Sequence, residues 1–137
     1  MRIVFDTNVL ISAALKSGLA RDIRNLAAQG KITLIASEFI LLELSEKLHE
    51  KFQWDQEAIV FNSNTLRLFA EIVDVTNVEH VVNKDPDDDN VLAAAVVGKA
   101  DIIVTSDKHL LKLKKYRGIA IVHPKTLSYM FPFDLKG

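Results

Sequence analysis

Short runs that are apolar almost without interruption recur along the chain: Arg2–Phe5, Lys31–Ile35, Ile72–Val75, Asp101–Val104 and Ile119–Val122. A strand with one face in water alternates apolar and polar residues, whereas a strand covered on both faces does not. These runs therefore read as a parallel sheet buried on both sides. Parallel neighbours need crossover connections, and helix-like segments lie between the runs. They are Asn8–Leu15 and Ala20–Gln29, parted near Gly18 and stopped at Gly30; Ser37, as a cap, to about Lys51; Gln56–Phe69; Asn90–Val97, ended by Gly98; and Lys108–Leu113. Pro124 opens a tail. The expected architecture is a three-layer α/β/α sandwich around a central, mainly parallel sheet of about five strands. No repeat, low-complexity segment or linker divides the chain, so residues 1–137 are expected to form one domain.

Composition narrows the chemistry. The net charge is −1, so no general basic field attracts a polyanion. An anionic partner must be held by a local patch or a metal. There is no cysteine, which excludes disulfides, thiol nucleophiles and cysteine zinc sites and is consistent with a reducing cytoplasm. No signal-peptide pattern opens the chain, and no apolar run is long enough to cross a membrane.

The stretch Asp85-Pro86-Asp87-Asp88-Asp89 sits at the start of the apolar segment Asn90–Val97. A helix start is satisfied by one or two acids. Asp85 fits the N-cap, Pro86 the first helical position and Asp88 a capping box. Asp87 and Asp89 are then surplus and ask for a cation. Asp88 shares the helix side of Leu92 and Ala95, which makes it the inward candidate, with Asp89 the fallback and Asp85 or Asp87 left to solvent.

Other acids could meet this cluster at one sheet edge. Asp6 and Asp107 each follow a strand at its carboxyl end, where α/β sheets bind ligands. Asp6 also permits an ordinary reading, a polar strand end whose Thr7 or Asn8 caps the next helix. Asp107, or Ser106, could likewise cap Lys108–Leu113. Glu43 lies between Leu42 and Leu44 on a helix, either at the rim of the apolar stripe or drawn under it. A drawn-under carboxylate needs a partner. Asn8 could steady the Asp6 loop, and the hydroxyls of Thr105 and Ser106 could orient a water or a phosphate oxygen. Carboxylates gathered in this way hold Mg²⁺ or Mn²⁺ for phosphate chemistry. Beside Asp107, the residues Lys108, Lys112, Lys114, Lys115 and Arg117 form a basic segment suited to a nucleic-acid backbone, with Arg21 and Arg24 as an extension. The histidines show no metal-ligand spacing.

In order, these pieces resemble the PIN-domain family of metal-dependent ribonucleases. The resemblance rests on Val4-Phe5-Asp6-Thr7-Asn8-Val9-Leu10, on Glu43, on Asp85 to Leu92, and on Ala100 to Lys108, and it covers nearly the whole chain. It is nearest to the VapC-like branch of toxins from toxin–antitoxin pairs. It implies that Asp6, Glu43, Asp88 and Asp107 hold one or two Mg²⁺ or Mn²⁺ ions, supported by Asn8 and Thr105. His109 departs from the pattern, standing where relatives often carry another acid. The implied activity is hydrolysis of RNA phosphodiesters, on single strands because an acidic cleft admits one backbone more easily than two. A homodimer and an antitoxin partner are implied as well. Two other readings compete. One is a non-catalytic module that binds a cation and docks RNA or protein. The other is a receiver-type phosphoacceptor domain, for which Asp74 is the nearest aspartate but falls inside an expected strand.

Overall fold

The apolar runs pair into one six-stranded sheet of order β3-β2-β1-β4-β6-β5. The computed structural model describes residues 1–78 and 86–131. The strands are β1 (Arg2–Phe5), β2 (Thr33–Ser37), β3 (Ala70–Val73), β4 (Ile102–Val104), β5 (Lys115–Tyr116) and β6 (Ile119–Val122). Among them run α1 (Thr7–Leu15), α2 (Leu19–Ala28), α3 (Glu38–Phe52), α4 (Gln56–Phe69), α5 (Pro86–Val97), α6 (Lys108–Leu113) and α7 (Pro124–Met130). Every strand pair is parallel except β5 with β6.

Burial explains the unbroken apolar runs. Ile3, Val4 and Phe5 are successive in β1 and all fully buried, so both faces of the central strand are covered. Ile103 and Val104 repeat this in β4. Each such side chain contributes about 1.5–3 kcal/mol relative to exposure. At the end of α5 the helix rides close on the sheet. A Cβ on Gly98 would stand 2.7 Å from Ile35 Cγ2, so only glycine permits this approach without a shift.

The chain moves outward from β1 through β2 to β3, then returns to place β4 on the other side of β1. The sheet's topological switch point is therefore between β1 and β4. A crevice opens there, beyond the strands' carboxyl ends, and ligands bind at such places in open α/β sheets.

The structure departs from the sequence reading in three places. β5 is an added antiparallel strand inside the basic segment. It is joined to β6 by a two-residue turn whose residues, Arg117 and Gly118, have φ of 49° and 80°. Both torsions suit a hairpin turn, but arginine is not a turn signature. The tail expected after Val122 forms α7 instead. His123 Nδ1 accepts the Lys125 N–H at 3.1 Å, Pro124 occupies the first turn, and Leu127 is fully buried. α5 begins at Pro86, the first helical position expected of it, and Asp87, Asp88 and Asp89 form its first turn. β3 ends at Val73, which places Asp74 just past a strand end and exposed. β3 is the edge strand, however, so Asp74 stands away from the central position a receiver-type phosphoacceptor requires.

Candidate functional site

Asp6 and Thr105 meet across the switch point. The Asp6 N–H donates to Val104 O at 2.9 Å, extending the β1–β4 pairing by one residue. Asp6 then occupies the N-cap position of α1, and its backbone carbonyl accepts from Val9 N and Leu10 N at 2.9 and 3.2 Å. Its carboxylate does not cap the helix. Elsewhere this chain uses such positions in the ordinary way: Ser37, Asp55 and Asp107 each accept a backbone N–H from the helix they precede. The Asp6 carboxylate instead accepts the Thr105 hydroxyl at 2.7 Å, and Thr105 Oγ1 in turn accepts the Asp107 N–H at 2.9 Å. Thr105 thus ties together the two loops that follow β1 and β4.

This arrangement is costly for Asp6. The residue is 4% exposed. Burial raises its pKa above the ordinary value. The Thr105 hydroxyl and the Thr7 backbone N–H pull it down, nearby Asp107 pushes it up, and Lys47 lowers it again. A carboxylate withdrawn from water, beside a second acid and relieved of capping, is arranged for a cation.

Glu43 comes to the same edge from α3. Its Oε1 is 3.0 Å from the Lys47 ammonium one turn on, and the two side chains are only 12% and 23% exposed. Burial raises the Glu43 pKa, Lys47 lowers it, and Asp87 on α5 raises it. The Thr7 hydroxyl lowers it slightly from a position short of full hydrogen-bond geometry. Glu43, Lys47 and Asp87 line one cleft of about 330 Å³ with Phe39, Leu42 and Asn90.

The acids of α5 diverge. Asp87 faces the Glu43 cleft and is half-buried, so it is not simply left to solvent. Asp88 and Asp89 are 3% and 2% exposed. Asp89 lines a different cavity, of about 180 Å³, with Asn77, Leu92, Val96, Tyr116 and Arg117. Residues two apart on a helix face roughly opposite ways, and Asp88 lies between these two directions. Asp85 lies outside the described residues. Asp107 does cap its helix, Oδ1 accepting His109 N at 2.7 Å and Leu110 N at 3.1 Å.

Among the described residues no three acids or histidines close into a ready-made metal cage. The donor set nevertheless fits a hard divalent ion. All the acids offer oxygen, and Mg²⁺ is commonly bound by one or two carboxylates together with water and substrate phosphate rather than by a protein cage. Asp6 and Asp107, joined through Thr105, present such a pair.

Other expected residues are placed elsewhere or act differently. Asn8 and Ser106 are exposed and form no side-chain hydrogen bond among the described residues, and the Asp6 loop is steadied by its own backbone. Lys108 adjoins Asp107 at the acidic edge. Lys112, Lys114 and Lys115 are exposed, and the segment carries Arg117 to the far edge, about 10 Å away along β6 at 3.3 Å per residue. There the Arg117 guanidinium lies 5.4 Å over the Tyr116 ring. Arg21 donates to the carbonyls of Ala13 and Ala14, which occupies it with the end of α1. Among the described residues, the cation that acts on Glu43 and Asp6 is Lys47, which the sequence reading passed over. Its signal was the i,i+4 spacing from Glu43.

A family model described as PIN domain matches residues 2–109. The chain belongs to the PIN-domain family. The match runs from β1 into α6 and so spans Asp6, Glu43, Asp88, Thr105 and Asp107. Among solved structures, this PIN domain is similar to a chain in the crystal structure of VapBC2 from Rickettsia felis bound to a DNA fragment from their promoter. The TM-score is 0.65 and the sequence identity 16%, covering 90% of this chain and 98% of the other. At that identity the likeness is one of fold. No curated protein matches the sequence. No helix among the described residues is long and apolar enough to cross a membrane.

Proposed function

We propose that this PIN domain is a metal-dependent endoribonuclease acting on single-stranded RNA, and the toxin of a toxin–antitoxin pair. The observation that carries the reading is Asp6: buried at the switch point, released from capping, and linked through Thr105 to Asp107. Asp6, Asp88 and Asp107 would hold Mg²⁺ or Mn²⁺, with Glu43 completing the site. When bound, the ion supplies a water of lowered pKa and neutralises charge on the phosphate. Thr105 holds the Asp6 carboxylate in one orientation. Glu43 would take a proton from an attacking water, and the burial that raises its pKa supports that role. Lys108, next to Asp107 at the acidic edge, would meet a phosphate of the strand. Lys112, Lys114, Lys115 and Arg117 form a surface leading away from the cut.

The VapBC2 structure is of a complex, and that supports an antitoxin partner for this chain. The gene next to this one is the place to look for it. A homodimer acting on RNA in the cytoplasm completes the proposal. The direct test is cleavage of labelled RNA by purified protein with Mn²⁺, with and without EDTA. Cleavage that survives EDTA, or that is retained in full by Asp6→Asn, refutes the assignment.

One observation favours a second reading. Glu43 is already paired with Lys47, and Asp107 Oδ1 already accepts two N–H groups. Acids satisfied within the fold suit a module that docks RNA or protein without cutting it. RNA bound but left intact, with Mn²⁺ present, selects that reading.

A further inference from the structure

Lys47 is a built-in cation at the edge where the acids gather. Its ammonium is 3.0 Å from Glu43 Oε1, its side chain is largely withdrawn from water, and it shares a cleft with Glu43 and Asp87. Its reach extends further than its partner. Asp6, Asp87 and Glu43 all stabilise its charge, and among the described residues it is the cation that lowers the Asp6 pKa. It extends from α3, whereas the Thr105 link fixes Asp6 to Asp107 on the loops after β1 and β4. The site therefore has two halves. One is a pair of aspartates that form no ion pair among the described residues, and the other is a glutamate with a lysine 3.0 Å from its Oε1.

We propose that Lys47 stands where a second divalent ion would bind, so that this PIN domain takes one metal ion, on the Asp6–Asp107 side, and not two. The inference rests on the nuclease reading above and refines it. Two-metal phosphodiester sites set their ions about 3.5–4 Å apart, each needing its own carboxylate oxygens. An ammonium on Glu43 Oε1 blocks that oxygen and repels a second dication in the same cleft. Lys47, 3.0 Å from Glu43 Oε1, fixes the Glu43 carboxylate and leaves it to act on water instead of on metal. The lysine is thus a positioning residue, acting through Glu43.

The test is the stoichiometry of Mn²⁺ binding to the purified chain, followed by calorimetry and by the loss of free Mn²⁺ signal in electron paramagnetic resonance. The wild type is expected to bind one ion. Lys47→Met keeps the stem, removes the charge and exposes Glu43, and it is expected to bind a second. Lys47→Arg keeps the charge and should stay at one. Two ions on the wild type overturn the proposal, and this result stands even if Lys47→Met does not fold. One ion on a folded Lys47→Met variant overturns it too. The two readings fail differently: two ions leave the nuclease assignment intact, whereas no bound ion at all removes both.

Discussion

The two edges of the sheet use carboxylates in opposite ways. At the amino-terminal edge, Asp101 accepts the Arg2 backbone N–H at 2.8 Å, Glu71 pairs with the Arg2 guanidinium, and Arg2 Nε donates to Gly98 O at 2.9 Å. These groups are partly or largely exposed and each has an evident structural partner. At the carboxyl-terminal edge, Asp6 is buried, stands next to another acid, and has its pKa raised by burial above its ordinary value. The fold satisfies the acids of one edge and leaves Asp6, at the other, under electrostatic tension. Groups that relieve their own cost hold structure together, whereas a group kept at a cost in a crevice is a candidate for chemistry.

The comparison is broken most directly at Asp6. If the carboxyl edge is catalytic, Asp6→Asn should lower RNA cleavage about a thousandfold, equivalent to roughly 4 kcal/mol in the barrier. The fold should persist, because asparagine fills the same volume and still accepts from Thr105. Circular dichroism and a cleavage assay on one preparation check both halves. Thr105→Val should do less. It removes the hydroxyl that orients Asp6 and receives the Asp107 N–H, and loss of such a supporting bond costs about 10–100-fold in activity or metal affinity. A Thr105→Val enzyme at full activity would show that the bridge between the loops is only structural.

Much of this was readable from the residues, but unevenly. Asp6, Thr105 and Asp107 were visible because each adjoins a strand whose apolar run is unmistakable, and parallel topology brings such ends together. The central parallel order was visible for the same reason. Three things were not. β5 and α7 are short, and their signals are weak: an arginine in a left-handed turn and a histidine as a cap. The aim of α5's acids depends on helix phase, and successive residues there differ by about 100°. Asp87, set aside as a solvent residue, faces Glu43 for that reason. Lys47 carried an ordinary helical ion-pair spacing, common on solvated faces, and only burial distinguishes it.

A metal should relieve the tension at one edge alone. Adding Mn²⁺ at a hundred times its dissociation constant should stabilise the wild type by about 2.7 kcal/mol through mass action. The melting temperature should rise accordingly, and Asp6→Asn should lose most of that rise. A wild-type melting point unmoved by millimolar Mn²⁺ would remove the cation from the account.

Proton binding sharpens the same contrast without metal. The Asp6 pKa is raised in the fold, so the folded state holds the proton more tightly than the unfolded chain does. Its contribution to stability is therefore fully present below the unfolded value of 3.8 and is lost as pH rises through the raised folded value. Subtracting the Asp6→Asn denaturation midpoints from the wild-type ones, pH by pH, isolates this trend from the other carboxylates. A difference that stays flat from acid to neutral pH means that Asp6 is better solvated or better paired than its burial implies.

The smallest effect belongs to the opposite edge. Arg2→Met removes the guanidinium bonds to Glu71 and Gly98 but keeps an apolar stem beside the sheet. Exposed pairs of this kind contribute about 0–1 kcal/mol, so a shift in denaturation midpoint near that size is expected. The effect should shrink in salt, because the Glu71 pair is open to solvent. RNA cleavage per folded molecule should not change, since the described contacts of Arg2 are with Asp101, Glu71 and Gly98 and not with Asp6. If Arg2→Met instead altered cleavage as strongly as Thr105→Val, the division of labour between the edges would be wrong, and the sheet would have to be treated as one coupled unit.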